Sequence, residues 1–127
     1  MARILLIEDN ADLAEFVARG LSVEGYEADI LVDGTDAMRN VSEYDYALVI
    51  LDRRLPTGDG TAVCKAIREQ NVSCRVLMLA AKAQFSEKIE GFKSGADDYL
   101  TKPFEFEELL MLIQPLPNSE QRLEVQL

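Results

Sequence analysis

The sequence predicts an α/β fold, a doubly wound five-stranded parallel sheet with five helices, and three features of the chain predict it. Apolar runs without polar alternation are typical of strands that are buried on both faces. Segments with helical spacing of apolar residues separate these runs, and Gly or Pro stands near their ends. Such regular alternation of strands and helices favours a parallel sheet with right-handed crossovers and helices on both faces.

The five predicted strands are short, and the first and third are apolar runs that end at acidic residues. Continuous runs of this kind indicate strands inside a sheet rather than strands with one face in water. The predicted strands cover residues 3–8, 27–32, 47–51, 75–79 and 98–101.

The five predicted helices are recognised by apolar periodicity and by stop signals. They cover residues 11–24, a segment that contains Ala37, Met38 and Val41, and residues 61–70, 86–94 and 105–114. Asp33-Gly34 offers a cap before the second helix, Gly25 and Gly95 follow the first and fourth, and residues 56–60 read as a loop. The residues predicted to face inward include Leu13, Phe16, Val17 and Leu21 in the first helix, Val63, Ala66 and Ile67 in the third, and Ile89 and Phe92 in the fourth.

Composition limits the function classes. With 127 residues, 48% of them hydrophobic, the chain is expected to form one domain that buries roughly two-thirds of its unfolded surface without a metal or disulfide staple. It contains no His, which excludes His-based nucleophilic catalysis and His-ligated zinc. The formal net charge of −10 disfavours binding to phosphate backbones, because such binding depends on Lys and Arg.

The two cysteines and the apolar runs indicate the cellular setting. Cys64 and Cys74 lack CxxC spacing, so two buried or half-buried free thiols are favoured over a disulfide. The longest apolar run near the start, residues 4–7, is far too short for a signal-peptide core or a membrane span. We therefore expect a cytoplasmic protein that does not contact a membrane.

The chain is expected to divide into a domain over residues 1–114 and a tail over residues 115–127. Prolines end the last helix, and a linker follows. Apolar residues then alternate with polar ones over 123–127. Two interpretations stay open: the tail is the start of an effector domain that this chain does not contain, or it is an edge ribbon.

Charged residues stand at the predicted carboxyl ends of three strands. Glu8 and Asp9 close the first strand, and Asp52 closes the third. Lys102 follows the fifth strand. In open parallel sheets, ligands bind beyond these strand ends. If the first and third strands are neighbours, the three carboxylates converge and need a cation to stay ionised together.

Mg²⁺ is the cation that this pattern indicates, with Mn²⁺ as the alternative, because hard divalent ions prefer oxygen ligands. The predicted ligands are Asp9 and Asp52 directly, Glu8 through water, and the Arg54 carbonyl. The competing interpretation is that Asp9 or Asn10 only caps the following helix.

Four motifs carry a resemblance to a known family: Glu8-Asp9; Leu51-Asp52 with Leu55-Pro56 and Asp59-Gly60; Gly95-Ala-Asp-Asp-Tyr-Leu100; and Lys102-Pro103-Phe104. With these motifs, the sequence over residues 3–114 resembles the receiver domains of two-component response regulators. It is most similar to receivers that precede a winged-helix DNA-binding domain. The resemblance implies a flavodoxin-like fold with strand order 2-1-3-4-5.

The resemblance also implies roles for the charged residues. Asp52 is expected to be phosphorylated, while Glu8 and Asp9 are expected to help hold Mg²⁺. Lys102 is expected to pair with the acceptor carboxylate or with the phosphoryl group. A cis peptide bond is expected before Pro103, where it would help to aim Lys102 into the site.

The chemistry of these residue types fits the implied roles. Asp52 would attack phosphorus as a carboxylate nucleophile and form an acyl phosphate, while Mg²⁺ and Lys102 offset charge on the phosphoryl oxygens. Because the chain has no His, the donor phosphohistidine must belong to a partner, a sensor histidine kinase. We therefore expect a phosphate acceptor that catalyses only its own phosphotransfer and dephosphorylation, and not an enzyme with a separate substrate.

Ala80 departs from the family pattern. It stands at the end of the fourth strand, where the family normally has a Ser or Thr hydroxyl that contacts the phosphoryl group. We predict that Asp52 is still phosphorylated but that its coupling to the surface is weaker, with the Ala81 amide as a remaining contact. Tyr99 is either the aromatic that rotates behind this position or a strand aromatic packed in place.

Arg53 and Arg54 follow the acceptor and are expected to be exposed cations. They either attract the anionic phosphodonor and slow loss of the phosphoryl group, or are solvated without a role. The same two interpretations apply to Lys82.

The resemblance implies two macromolecular interactions. Receivers of this kind often form homodimers through the fourth helix, fifth strand and fifth helix, although the last helix here has none of the Lys or Arg that usually meet acids such as Asp97 and Asp98. Residues 122–127 look like the first strand of the effector domain. DNA would then be bound only through a domain that is absent from this chain.

Three other functions compete with that of a phosphate acceptor. A phosphorylation-independent pseudo-receiver, acting as an interaction module, is the main alternative and is motivated by Ala80. An aspartyl phosphatase is disfavoured because Asp52-Arg53-Arg54 lacks a second acid two residues after the nucleophile. Flavin binding is disfavoured because the acidic loop over residues 8–12 would repel a flavin phosphate.

Overall fold

The computed structural model describes residues 2–70, 73–81 and 85–114. The elements in chain order are β1 Arg3–Ile7, α1 Ala11–Val23, β2 Glu27–Leu31, α2 Ala37–Glu43, β3 Leu48–Asp52, β4 Arg54–Leu55, β5 Gly58–Asp59, α3 Gly60–Gln70, β6 Arg75–Ala80, α4 Phe85–Lys93, β7 Asp98–Thr101 and α5 Phe106–Ile113. The predicted fourth and fifth strands are therefore β6 and β7. The predictions for Lys82 and for residues 115–127 lie outside the described residues.

The main sheet has five strands in the order β2-β1-β3-β6-β7, and all of its neighbouring strands are parallel. This confirms the predicted strand order 2-1-3-4-5. The register places Ile7 at the end of β1 opposite Leu51 of β3. The residues that follow β1 and β3 therefore meet at one edge of the sheet, where the strand order reverses.

Two apolar layers cover the two faces of the sheet. One joins alternate strand residues to α1 and α5, and the other joins the remaining strand residues to α2 and α3. Both faces are buried because side chains alternate along a strand, which explains why β1 and β3 are apolar apart from Arg3 and Asp52 at their ends. In the part of the chain that the structure describes, no helix is both long and apolar enough to cross a membrane.

Three predicted inward residues are exposed instead. Phe16 is 56% exposed, because α1 packs inward through smaller side chains, and its ring meets that of Phe106 at 6.1 Å between centroids. Ile89 and Phe92 are 38% and 47% exposed. Within residues 89–93, Gly91 is buried and lies against the Tyr99 ring, where a Cβ would be only 2.9 Å from a ring carbon.

Two local predictions also need correction. Residues 56–60 are not a plain loop, because β4 and β5 form a two-stranded antiparallel hairpin within residues 54–59. Asp33 does not cap α2; its carboxylate accepts a hydrogen bond from the Thr35 amide at 2.8 Å. The residue before α2 is Asp36, and its side chain makes no capping bond.

Both cysteines are free and buried, as predicted. Cys64 lies on the inner side of α3, and Cys74 lies next to β6 in the same apolar layer. Burial raises the pKa of the Cys64 thiol and raises that of Cys74 to about 11. The thiols therefore stay protonated at neutral pH, which makes them poor nucleophiles.

Gly60 lets α3 begin directly against the end of β3. Its amide donates to the Arg53 carbonyl at 2.6 Å, and a Cβ at this position would overlap the backbone carbonyl oxygen of Asp52. Only glycine permits so close an approach of two backbones without displacement. This contact helps to fix the backbone that carries Asp52.

The buried cysteines predict slow thiol labelling. In the folded chain, DTNB is expected to react with Cys64 and Cys74 about two orders of magnitude more slowly than in guanidinium chloride, because the thiols react only after local opening. Absorbance of the released thionitrobenzoate measures both rates. Equal rates in the two conditions would contradict the buried placement.

Substitution of Gly60 is expected to destabilise the fold. Gly60→Ala should lower the free energy of unfolding by about 1–3 kcal/mol, because the new methyl group meets backbone atoms that cannot rotate away. Urea unfolding followed by circular dichroism measures the change. Ala62→Ser, at an exposed position of the same helix, is the control and should change stability by less than about 0.5 kcal/mol. Equal stabilities of Gly60→Ala and the unsubstituted chain would rule out the close contact.

Candidate functional site

The charged residues predicted from the sequence lie together at the carboxyl edge of the sheet. Glu8 and Asp9 follow β1, and Asp52 is the last residue of β3. Lys102 follows β7, two strands away from β3. The parallel arrangement brings them together because every strand ends at the same edge.

The three carboxylates form one cluster. One oxygen from each of Glu8, Asp9 and Asp52 lies within 4.8 Å of the other two. The side chains of Glu8 and Asp52 are buried, whereas Asp9 is exposed. At this separation, two ionised carboxylates near a protein surface repel by about 3 kcal/mol, so the buried pair needs a positive partner.

Lys102 is a positive partner of that buried pair. Its Nζ donates to Glu8 Oε1 at 2.6 Å and to Asp52 Oδ2 at 3.2 Å. Its backbone amide donates to the Ala80 carbonyl at 2.6 Å, which ties the residue to the end of β6. The Lys102-Pro103 peptide bond is cis, as the family resemblance implies.

The surroundings raise the pKa of both Glu8 and Lys102. Burial raises the pKa of Glu8, and the negative charge of Asp52 acts in the same direction, although Lys102 opposes them. Burial disfavours the charged form of Lys102, but the hydrogen bond to Glu8 and the charge of Asp52 outweigh it and raise the pKa of Lys102. The lysine therefore remains an ammonium at neutral pH.

Backbone amides hold the two buried carboxylates in place. The Asn10 amide donates to Glu8 Oε2 at 3.1 Å, and the Arg54 amide donates to Asp52 Oδ1 at 3.2 Å. Asn10 also caps α1, since its side chain accepts from the Leu13 amide at 3.1 Å. The sequence left open whether Asp9 or Asn10 caps α1. Asn10 is the cap, and Asp9 belongs to the carboxylate cluster.

The donor set fits a hard divalent cation. Three converging carboxylates offer oxygen ligands, and exposed Asp9 leaves the cluster open to water, which Mg²⁺ retains in its coordination shell. Glu8, Asp9 and Asp52 are the residues that could hold the ion. The role of the Arg54 carbonyl as a ligand stays a prediction.

The two predicted switch residues lie on neighbouring strands. Ala80 is buried at the end of β6, and its methyl group offers no hydrogen bond. Tyr99 is half-buried in β7, and its hydroxyl oxygen is buried. Its ring packs under α4, 6.3 Å from that of Phe92 between centroids and close to Gly91. Tyr99 is thus packed inward in this structure.

Arg53 contradicts the prediction that both arginines are exposed. It is only 5% exposed, whereas Arg54 is exposed. Arg53 Nε donates to Asp59 Oδ1 at 3.0 Å, and Arg53 Nη2 lies 3.7 Å from Glu90 Oε2 of α4. The physical reason is that Arg53 lies just beyond the end of β3, where its side chain packs between the β4–β5 hairpin and α4. Sequence reasoning missed this network, because composition favours an exposed arginine.

Asp97 and Asp98, which the family resemblance links to a homodimer contact, each pair with an arginine of this chain. Asp97 forms an ion pair with Arg68 and accepts a hydrogen bond from the Val76 amide at 2.8 Å. Asp98 pairs with Arg75 at 2.5 Å. Homodimer formation through α4, β7 and α5 stays a prediction.

Comparison with known proteins and the geometry of the site indicate the same protein family. The family model of the response regulator receiver domain matches residues 4–114. The transcriptional regulatory protein CutR of Streptomyces coelicolor is 44% identical over 114 residues, which cover 90% of this chain and 52% of CutR. The transcriptional regulatory protein TcrA of Mycobacterium tuberculosis is 43% identical over 114 residues, which cover 90% of this chain and 45% of TcrA. The chain therefore spans about half the length of these curated relatives.

Solved structures share the fold. The receiver domain of Francisella response regulator 1452 superposes with a TM-score of 0.85 at 33% identity, covering 91% of this chain and 96% of that chain. The response regulator DrrB of Thermotoga maritima, described as an OmpR/PhoB homologue, has a TM-score of 0.83 at 30% identity and covers 90% of this chain and 51% of that chain. With its acidic cluster, its lysine and its strand order, the chain belongs to the response regulator receiver domain family.

Proposed function

We propose that this chain accepts a phosphoryl group on Asp52 in a Mg²⁺-dependent reaction, as the receiver of a two-component response regulator. The observation that carries the proposal is the cluster of Glu8, Asp9 and Asp52 with Lys102 bridging its two buried members. This arrangement places a carboxylate nucleophile beside cation ligands and beside a permanent positive charge. Phosphoryl transfer to an anionic acceptor requires cation ligands near the nucleophile and a positive charge that offsets the charge on the phosphoryl oxygens.

The transfer step begins at Asp52. An oxygen of its carboxylate forms a bond to phosphorus as the P–N bond of the donor phosphohistidine breaks, and the electron pair stays on the imidazole nitrogen, which takes up a proton. The product is an acyl phosphate on Asp52. Hydrolysis reverses the modification: water attacks phosphorus, Asp52 is restored and inorganic phosphate is released.

The residues of the site position the reacting groups and stabilise their charge. The Arg54 amide orients the Asp52 carboxylate by a hydrogen bond at 3.2 Å. Lys102 lies 3.2 Å from the other Asp52 oxygen and can follow the developing charge on the phosphoryl oxygens. Glu8, Asp9 and Asp52 would hold Mg²⁺, which would supply Lewis-acid neutralisation of the phosphoryl charge.

The partners follow from the same chemistry and from the relatives. The donor is a sensor histidine kinase, since the chain itself contains no His. The relatives CutR and TcrA are named transcriptional regulatory proteins. We therefore propose control of transcription as the output, exerted through a DNA-binding effector domain outside residues 1–114. The chain acts only on itself and has no separate substrate; two free cysteines support a reducing, cytoplasmic setting.

A phosphorylation-independent interaction module is the second candidate. It is favoured by Ala80, which cannot donate a hydrogen bond to a phosphoryl oxygen at the end of β6. In that case the acidic cluster would bind a cation but Asp52 would not be modified. Direct measurement of phosphorylation separates the two candidates.

Phosphorylation of Asp52 is expected in the absence of any kinase. Incubation with Mg²⁺ and acetyl phosphate should add one phosphoryl group, detected by intact-protein mass spectrometry, because a small acyl phosphate carries an activated phosphoryl group. Asp52→Asn and excess EDTA should each abolish the addition. An unmodified wild-type chain would favour the interaction module, and modification that persists in Asp52→Asn would identify another acceptor.

Removal of Lys102 is expected to separate catalysis from ion binding. Lys102→Met should slow phosphorylation by roughly 10²-fold, the cost of losing one preorganised charge at the reacting oxygens. The same variant should bind Mg²⁺ at least about tenfold more tightly, because a positive charge that opposes the ion is removed.

Titration calorimetry measures Mg²⁺ binding, and mass spectrometry measures the phosphorylation rate. Lys65→Met, which removes an exposed charge from α3, is the matched control and should alter neither. Unchanged Mg²⁺ binding by Lys102→Met would show that the lysine does not share a site with the ion.

A further inference from the structure

Arg53 connects the end of the acceptor strand to the outer helix α4. It follows Asp52 directly, and its backbone is fixed on both sides: its amide donates to the Leu79 carbonyl at 2.7 Å, and its carbonyl accepts from the Gly60 amide at 2.6 Å. A displacement of the Asp52 backbone therefore displaces Arg53 as well. Its side chain is 6% exposed, so it cannot relax into solvent.

The Arg53 guanidinium contacts three separate parts of the chain. It bonds to Asp59 of the β4–β5 hairpin at 3.0 Å and lies 3.7 Å from the Glu90 carboxylate. It also interacts with Tyr99 of β7. Burial opposes its charge, but the charge and hydrogen bond of Asp59 and the interaction with Tyr99 outweigh it and raise the pKa of Arg53.

The Glu90 contact is weaker than the Asp59 contact. It is longer than a direct hydrogen bond, and the Glu90 side chain is 63% exposed, whereas the Asp59 contact has hydrogen-bonding geometry. An acyl phosphate carries about −1.5 to −2 charge at neutral pH in place of the −1 of an ionised carboxylate, so phosphorylation adds about −0.5 to −1 at Asp52. Placed on the residue next to Arg53, that charge competes with Glu90 for the guanidinium.

We propose that Arg53 is a positioning residue that transmits the phosphorylation state of Asp52 to α4 and β7. The proposal deepens and rests on the proposed function, since it requires that Asp52 be phosphorylated. In the unmodified chain Arg53 holds Glu90 and the inward Tyr99 in place. In the phosphorylated chain the guanidinium moves toward the new charge, the Glu90 contact is lost, and α4 shifts relative to the Tyr99 ring.

The packing around Tyr99 explains why loss of the Glu90 contact and a shift of α4 would alter the exposed surface. A Cβ at Gly91 would lie 2.9 Å from the Tyr99 ring, so α4 and β7 are already in close contact. Phe92, 47% exposed on the same turn of α4, also packs against that ring. A shift of the helix must therefore change both the ring environment and the exposed surface. Ala80 offers no hydrogen bond for this purpose, whereas Arg53 lies 3.7 Å from Glu90 of α4 and interacts electrostatically with Tyr99 of β7.

The test compares amide chemical shifts before and after phosphorylation with Mg²⁺ and acetyl phosphate. In the wild-type chain, amides of residues 90–93 and 98–101 should shift on phosphorylation, and Asp52→Asn should show no such change. Arg53→Met keeps the length of the aliphatic stem and removes the charge. It should still be phosphorylated, as mass spectrometry would show, but should lose most of the response at α4 and β7.

Further variants separate this role from a purely structural one. Arg53→Lys keeps the charge and should restore part of the response. Glu90→Gln changes only an exposed partner, so it should fold normally and should abolish the response of α4 while leaving phosphorylation unchanged. Arg39→Met, which removes an exposed arginine from α2, is the control and should respond like wild type.

The outcomes distinguish this inference from the proposed function. Absence of phosphorylation in the wild-type chain would overturn both. Normal phosphorylation with a full wild-type response in Arg53→Met and Glu90→Gln would overturn only the role of Arg53. If Arg53→Met proves unfolded by circular dichroism, Glu90→Gln decides the matter, and a wild-type response in that variant contradicts the proposal.

Discussion

The structure depends on one electrostatic constraint: two buried carboxylates, Glu8 and Asp52, share the ammonium of Lys102. Burial of like charges a few ångströms apart is unfavourable unless a cation compensates them. Lys102 provides part of that compensation, and its three N–H donors are divided between the two acids. The remaining excess of negative charge, which includes exposed Asp9, makes the cluster a fit for a divalent cation.

The rest of the fold serves to hold this cluster. The parallel register of β1 and β3 aligns the chain positions that carry the acids, and the apolar layers on both faces keep the strands from moving. Gly60 lets α3 start against the acceptor strand, and the Asn10 and Arg54 amides fix the carboxylate oxygens. If Asp52 is the nucleophile, as proposed, these backbone contacts already hold it in place, and little rearrangement is needed before it reacts.

Much of this arrangement could be predicted from the sequence. The apolar runs and stop signals gave the strand boundaries to within a residue or two, because buried parallel strands have an unmistakable composition. The acids at the strand ends gave the site, because topology alone brings such positions together. Phe16 and Ile89 were placed wrongly since helical periodicity does not say which of several apolar residues face inward. Arg53 was misplaced because composition favours exposed arginine, and only the path of α4 over the sheet buries it.

The most direct test of the central claim is the position of a bound cation. Crystals grown with Mn²⁺ in place of Mg²⁺ allow the ion to be located by its anomalous scattering. The account predicts a peak within about 2.0–2.4 Å of oxygens of Asp9 and Asp52, beside Lys102 and not displacing it. A peak elsewhere on the surface, with no ion in the cluster at saturating Mn²⁺, would contradict it.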